Sequence, residues 1–219
     1  LDNFCWGDVS NEKELGRLVR CVLGCRDYAM GFRVPFISGK DSLHNVFRDD
    51  DGNLHSIPGT LLISAIAPVP DVRKAISSDL KQEGDRLYLC GKTMREMGGS
   101  QYYAVSSVRG GRVPRPSAGR NLRCMKKLHR AVQQGLLAAC HDCSDGGLAV
   151  ALSEMVIGGT WGLDIFLENT WSEDGSVETL LFSETPGRFV VEVHEECCGA
   201  FERLMKNESC FRLGVVIPE

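Results

Sequence analysis

Residues 141–147 read His-Asp-Cys-Ser-Asp-Gly-Gly, and an apolar pattern at helical spacing follows at once from Leu148 to Val156. No other stretch constrains the chain as much, because it demands a tight glycine-bearing turn with a helix N-terminus facing it. The first amides of a helix lack intrahelical acceptors and carry the positive end of the helix dipole, so they favour anions. Glycines let an anion approach the backbone closely. A carboxylate beside a phosphate site calls for an intervening cation, and Mg²⁺ prefers such oxygen ligands. Alone, the segment supports two readings: a Mg-nucleotide or phosphate loop, and an ordinary Asp/Ser helix cap with a glycine turn.

The 219 residues are 43% hydrophobic, enough for one large domain or two small ones. A net charge of −4 argues against a surface that coats nucleic acid. No apolar run approaches the ~20 residues of a membrane helix, and no signal-peptide pattern is visible. The expectation is a cytoplasmic protein without nucleic-acid or membrane partners. The opening at Leu1, directly into dense sequence, reads as a piece cut from a longer chain.

Ten cysteines occur. Cys21 and Cys25 share a helical face, and Cys197 and Cys198 are adjacent, a poor geometry for mutual pairing. Cys140 and Cys143 form a C-x-x-C without the second pair that a zinc site needs. A helical pattern, rather than a strand, is read before them, which argues against a thioredoxin-like motif. Reduced thiols, several buried as small hydrophobes, are expected.

Along the chain, helical spacing covers Glu12–Gly31, and Val34–Ser38 reads as a short strand. A hairpin turns at Asp49–Asn53, and Thr60–Ala67 reads as a buried strand. Pro68 and Pro70 break the pattern, placing a boundary between residues 60 and 85. Arg86–Cys90 reads as a strand, residues 109–120 as an exposed loop, and Arg123–Ala138 as an amphipathic helix. After the 141–147 turn and its helix come strands at Gly162–Leu167 and Arg188–Val193, a helix at Glu195–Lys206 and a closing strand at Phe211–Ile217. The alternation lacks strict βαβ spacing, so the fold class is α+β.

Gly39-Lys40-Asp41-Ser42 imitates the end of a P-loop but lacks the glycine five residues earlier, and Asp41 stands where Ser or Thr must follow Lys. Lys40 is left as a strand-end phosphate contact or a solvated turn lysine. Asp2 and Asn3, beside Phe4, Cys5 and Trp6, suit a nucleotide edge or an Asx-turn. His141 is a general-base candidate or a hydrogen-bonded orienting group. Ser183 to Arg188 reads as a polar turn ahead of a strand.

In order, Asp2-Asn3-Phe4-Cys5-Trp6-Gly7-Asp8, Pro35 to Leu43, Pro58 to Ala65, Met97 to Tyr102, His141 to Leu148 and Phe182-Ser183-Glu184 together resemble the second synthetase half of the phosphoribosylformylglycinamidine synthases. These are purine-biosynthesis ligases of the aminoimidazole ribonucleotide synthetase-like group, and the likeness spans essentially the whole chain. It implies residues 1–60 as the tail of an N-terminal synthetase-like subdomain. Residues 61–219 become the C-terminal subdomain of that fold, which is α+β and partly ferredoxin-like. In the family's reaction, phosphoryl transfer from ATP activates an amide oxygen of formylglycinamide ribonucleotide. Glutamine-derived ammonia then displaces it, giving formylglycinamidine ribonucleotide.

The resemblance implies Mg²⁺ and ATP or ADP as cofactors, with Asn3 and Asp142 as metal ligands. Asp2, Lys40, Ser144, Gly146 and Gly147 fall at nucleotide-binding positions, and Cys5, Ser183, Glu184 and Arg188 at substrate-binding ones. His141 is the one weak catalytic candidate. The family's catalytic histidine motif and upstream metal ligands are not in this sequence. The isolated chain is therefore expected to be incomplete, to need the remaining synthetase half and a glutaminase domain or subunit, and to be prone to self-association. Two alternatives stand beside this reading: a non-catalytic Mg-ADP-holding half of the same enzyme, and another ATP-using relative such as a selenophosphate or aminoimidazole ribonucleotide synthetase.

Overall fold

The computed structural model describes residues 1–218 and divides into two compact units, Leu1–Pro70 and Asp71–Glu219. In the first unit β1 (Asp2–Cys5) is followed by α1 (Glu12–Phe32), β2 (Gly39–Ser42), the hairpin β3 (Val46–Arg48) and β4 (Leu54–Ser56), and β5 (Thr60–Ile63). β1 lies between β2, parallel to it, and β5, antiparallel. Helix α1 starts where the Asn11 side chain accepts the Lys13 N–H, with Glu12 and Glu14 at the positive end of the dipole. It ends at Arg33, whose φ of 58° is left-handed.

That exit displaces the strand expected at Val34–Ser38. Pro35 has no N–H to give a ladder, and pairing begins at Gly39, opposite Asp2. The buried strand expected over Thr60–Ala67 stops at Ile63. As an edge strand paired with β1 alone, it leaves Leu62 59% and Ile63 49% exposed. Because β5 belongs to this sheet, the first unit runs to Pro70, ten residues past the position 60 taken from the resemblance.

The second unit contains β6 (Arg86–Cys90), α2 (Gln101–Val105), α3 (Ala118–Gln133), β7 (Ala139–Asp142), α4 (Gly147–Ile157), β8 (Trp161–Ile165), α5 (Val177–Phe182), β9 (Phe189–Val193), α6 (Cys198–Met205) and β10 (Cys210–Pro218). Its five-stranded sheet has the order β7-β9-β6-β10-β8 with every pair antiparallel. The inner strands are apolar on both sides because both faces are covered. Leu87, Leu89 and Val190 pack with Leu148, Ala151, Leu152 and Met155 of α4 and Leu180 of α5. Tyr88, Cys90, Val191 and Val193 pack with Cys124, Leu128 and Ala131 of α3 and Phe201 and Met205 of α6. The α+β class read from the sequence is the class observed.

Helix α3 lies five residues earlier than the helix read over Arg123–Ala138, and its buried face runs through Asn121, Cys124, Leu128 and Ala131, leaving Met125 37% exposed. Gly135 (φ +67°) stops it: the Gly135 N–H returns to Val132 O and the Leu136 N–H to Ala131 O, a Schellman cap. The chain is thereby released into β7, a four-residue strand that the sequence reading did not place between its helix and the 141–147 turn.

Glu192 on β9 ties the sheet to the segment entering β6. Its fully buried carboxylate accepts the Lys81 N–H at 3.0 and 3.1 Å and the Gln82 N–H at 3.1 Å. Burial pushes its pKa from 4.5 up to about 7, with the facing Asp85 carboxylate adding to the rise. A group held protonated in the fold contributes stability below its unfolded pKa and loses it as pH climbs through the folded one. Stability should therefore fall by up to ~1.4 kcal/mol per pH unit between the two values. Glu192→Gln keeps the acceptor and removes the titration. Urea unfolding across that range should show a flatter profile for the variant than for the parent, and identical slopes would refute the assignment.

Candidate functional site

Strand β7 delivers the 141–147 turn. The Cys143 N–H donates to Arg188 O at 2.9 Å, extending the β7–β9 ladder to the edge of the turn. Asp142 then leaves the sheet with its side chain 60% exposed, and the Ser144 hydroxyl donates to its carboxylate. Asp142, Ser144 and Asp145 face solvent, whereas Gly146 and Gly147 are buried.

The two glycines have a packing cause. Both have positive φ, +77° and +68°. A Cβ on Gly147 would lie 2.6 Å from Ser183 O and 2.8 Å from Leu181 O, and one on Gly146 would lie 2.3 Å from Val150 Cγ2. The anion-seeking N–H of Gly146 is already engaged: Glu184 Oε1 accepts it at 2.9 Å and also accepts the Gln101 N–H, the first of α2, at 2.8 Å. A protein carboxylate thus occupies the amide that the sequence reading offered to a phosphate, and the glycines serve backbone packing.

His141 is held at both ring nitrogens, with Nδ1 2.8 Å from Asp142 O and Nε2 3.0 Å from Glu154 Oε2 on α4. The ring thereby spans α4 and the turn. Cys140 packs among the α3/α6 residues and Cys143 among the α4 residues, so the C-x-x-C straddles the sheet and cannot close on itself. Burial raises their pKa values to about 12 and about 11.

Ser183 and Arg188, expected to touch substrate, are buried at 0% and 1% exposure. The Ser183 hydroxyl donates to Met94 O at 2.7 Å. Arg188 donates to the Thr93 hydroxyl at 3.0 Å, to Leu180 O at 3.2 Å and to Ser183 O. Burial lowers its pKa, and the nearby Cys143 and Glu96 act against that shift. Both side chains position backbone and cannot meet a ligand in this arrangement. Glu96 was missed in the sequence. It is 4% exposed and caps the Arg115 N–H at 3.1 Å, and nothing in its Arg-Glu-Met setting marks it as buried.

In the first unit, the parallel register sets Asn3 beside Lys40 and Cys5 beside Ser42, so these four share one face. The Cys5 thiol donates to Asn3 Oδ1 at 3.3 Å, and Lys40 Nζ donates to the Ser42 hydroxyl. Asp2 points to the other face, where a Cβ on Gly39 would lie 1.7 Å from its Oδ1. Asp2 and Asn3 therefore cannot converge on one ligand, although the sequence offers them as a pair.

Among the described residues no three His, Cys, Asp or Glu side chains gather as a metal cluster. Asp142 with Ser144 is a donor set for a cation that brings further oxygens with it. Mg²⁺ on nucleotide phosphates is bound in that way, through one or two carboxylates.

Residues 82–219, well over half the chain, match the family described as AIR synthase related protein, C-terminal domain. The chain belongs to this family. The match takes in the whole five-stranded sheet and every helix on it. Beyond the family's domain, the chain is similar to phosphoribosylformylglycinamidine synthase subunit PurL of Methanocaldococcus jannaschii, with 35% identity over 219 residues, 99% of this chain and 30% of the relative. Two solved structures share the fold along its full length: T. maritima PurL complexed with FGAR (TM-score 0.73, 15% identity, 35% of that chain) and the same protein complexed with ATP (TM-score 0.68, 16% identity, 33% of that chain). The chain spans about a third or less of these relatives. No described helix is long and apolar enough to cross a membrane.

Glu184 joins two helix starts through one oxygen, so Glu184→Ala should cost about 1–3 kcal/mol. It should also speed hydrogen exchange at the Gly146 and Gln101 amides. Glu184→Gln keeps an acceptor oxygen and should restore part of the protection. Unchanged exchange in the alanine variant would show that the bridge does not order the turn.

Proposed function

We propose that this chain is part of a phosphoribosylformylglycinamidine synthase and that its Asp142–Ser144 turn faces the phosphates of an ATP or ADP. The observation that carries the reading is the exposed, mutually hydrogen-bonded Asp142–Ser144 pair between a strand end and α4, in a chain of this family. The similarity to subunits bearing that enzyme's name supports it. In the second unit Asp142 would hold Mg²⁺ carried on the nucleotide, and the metal would supply charge neutralisation for phosphoryl transfer. In the first unit, taken by itself, Asn3 offers an oxygen donor for a metal and Lys40 a positive charge for phosphate, on the face they share with Cys5. His141 and Glu184 fix the turn, while Ser183 and Arg188 fix the backbone behind it. The substrate is formylglycinamide ribonucleotide, and the remaining synthetase half and a glutaminase domain or subunit are the partners. A cytoplasmic setting goes with that chemistry. The exposed edge β5 makes self-association of the isolated chain an expected behaviour.

One observation favours a second reading, in which this half holds Mg-ADP without turnover: His141, the one general-base candidate of the turn, is engaged at both nitrogens. Asp142→Asn in the complete enzyme separates the two. Its exposed side chain predicts an almost unchanged thermal midpoint without nucleotide and at least about ten-fold weaker Mg-nucleotide binding, ~1.4 kcal/mol. Loss of kcat assigns the turn to catalysis, whereas retained kcat with lost nucleotide-linked stabilisation assigns it to holding. Unchanged binding would remove the turn from the site altogether.

The purified chain alone should release no ADP in a formylglycinamide ribonucleotide- and ammonia-dependent assay. Addition of the missing segments should restore release. Turnover by the chain alone at the rate of a complete enzyme would contradict the proposal.

A further inference from the structure

Cys90 closes β6, Cys210 opens β10, and the two are direct partners across the ladder. Their Sγ atoms lie 3.4 Å apart, although the residues are 120 positions apart in the chain. The Gly91 N–H donates to Ser209 O at 2.8 Å, which makes that neighbouring pair the hydrogen-bonded one. The alternation of an antiparallel ladder then makes Cys90 and Cys210 a non-hydrogen-bonded pair, where Cα atoms approach to about 4.5 Å. Disulfides span Cα separations of roughly 4.4–6.8 Å. The backbone therefore already stands where a bond between these sulfurs needs it.

Cys21 and Cys25 also approach each other, but one turn apart on a single helix, where a bond would tie no two elements together. Cys140 and Cys143 straddle the sheet, and Cys197 and Cys198 are adjacent in sequence. Two facing thiols can be oxidised to a disulfide by thiol–disulfide exchange.

We propose that Cys90 and Cys210 are a thiol–disulfide site that reacts with small-molecule disulfides and locks β6 to β10. Cys210 is partly exposed and Cys90 is buried, so the Cys210 thiolate is the first to attack the reagent's disulfide. Its thiolate displaces one thiolate from the reagent and forms a mixed disulfide. Cys90 then gives up its proton to solvent, attacks the Cys210 sulfur and expels the second small thiolate. Two protein thiols become one disulfide, and the reagent's disulfide is reduced to two thiols. The hydrogen bond with the facing Cys210, and after it burial, hold the Cys90 thiol well above its ordinary pKa, which makes the second step slow. The site therefore answers sustained oxidant rather than a brief pulse. The bond closes a very long loop in the unfolded chain and disfavours unfolding on that account.

The test exposes the full chain to oxidised glutathione, blocks residual thiols by alkylation and maps peptides without reduction. A Cys90–Cys210 crosslink is expected. With it, the urea unfolding equilibrium should shift towards the folded form by about a thousand-fold, reversibly with dithiothreitol. Cys210→Ser, at a partly exposed position, should abolish the crosslink and the shift, and Cys90→Ala should do the same if it folds. The proposal is overturned if the pair stays reduced while Cys21, Cys25, Cys197 and Cys198 oxidise, or if Cys210 links instead to Cys124 or Cys140.

Discussion

The second unit is organised around one buried guanidinium. Arg188 gathers the Thr93 hydroxyl and the carbonyls of Leu180 and Ser183, while its own carbonyl receives the Cys143 N–H. The last carbonyls of a helix have no partner within it, and Arg188 supplies one for α5. Burying a charge is costly unless it is hydrogen-bonded. Here the same bonds that offset the cost also fix the C-terminal end of α5, the start of β9, the segment after β6 and the turn at 143–146. The exposed Asp142 and Ser144 sit on a frame whose rigidity originates several residues away and out of contact with solvent.

The sequence carried the long periodic elements well. The α1 spacing, the apolar β6 run and the Leu148–Val156 pattern appear close to where they were read, because each has enough apolar residues to declare a face. Among the short or edge elements, the β3–β4 hairpin and β8 were read, whereas β7 and the exposure of β5 were not. β7 is four residues long, too short to declare a periodicity, and the helix read over Arg123–Ala138 ran through the cap and connector up to its first residue. Gly135, which ends α3, was a readable signal that the periodicity outweighed. Thr60–Ala67 was read as buried because apolar composition states what a segment tolerates, while burial depends on whether another layer covers it.

The same division holds for the site. The turn at 141–147 and its helix were legible as a local pattern, whereas Lys40, read beyond a strand end, lies within β2. The sequence could not disclose direction. Adjacent strand residues point to opposite faces, which separates Asp2 from Asn3, and Cys140 and Cys143, three positions apart across the end of β7, pack on opposite sides of the sheet. Nor does a polar side chain in a motif announce burial. Ser183 and Arg188 lie inside and Glu184 reaches back to two amides, contacts between residues some 40 to 90 positions apart.

The Glu184 bridge also changes the electrostatic character of the turn. A free helix N-terminus would present a partial positive charge to any anion. Here that charge is answered from within, and the rim carries Asp142 and Asp145 with no lysine or arginine between residues 139 and 157. The local field repels a bare anion and admits one whose charge has already been neutralised. On the proposed reading the turn would therefore discriminate by charge state before shape, disfavouring a polyphosphate stripped of its counter-ion relative to the same polyphosphate in complex. Adding divalent cation and removing it should then act on this loop as opposite selectors of what can approach.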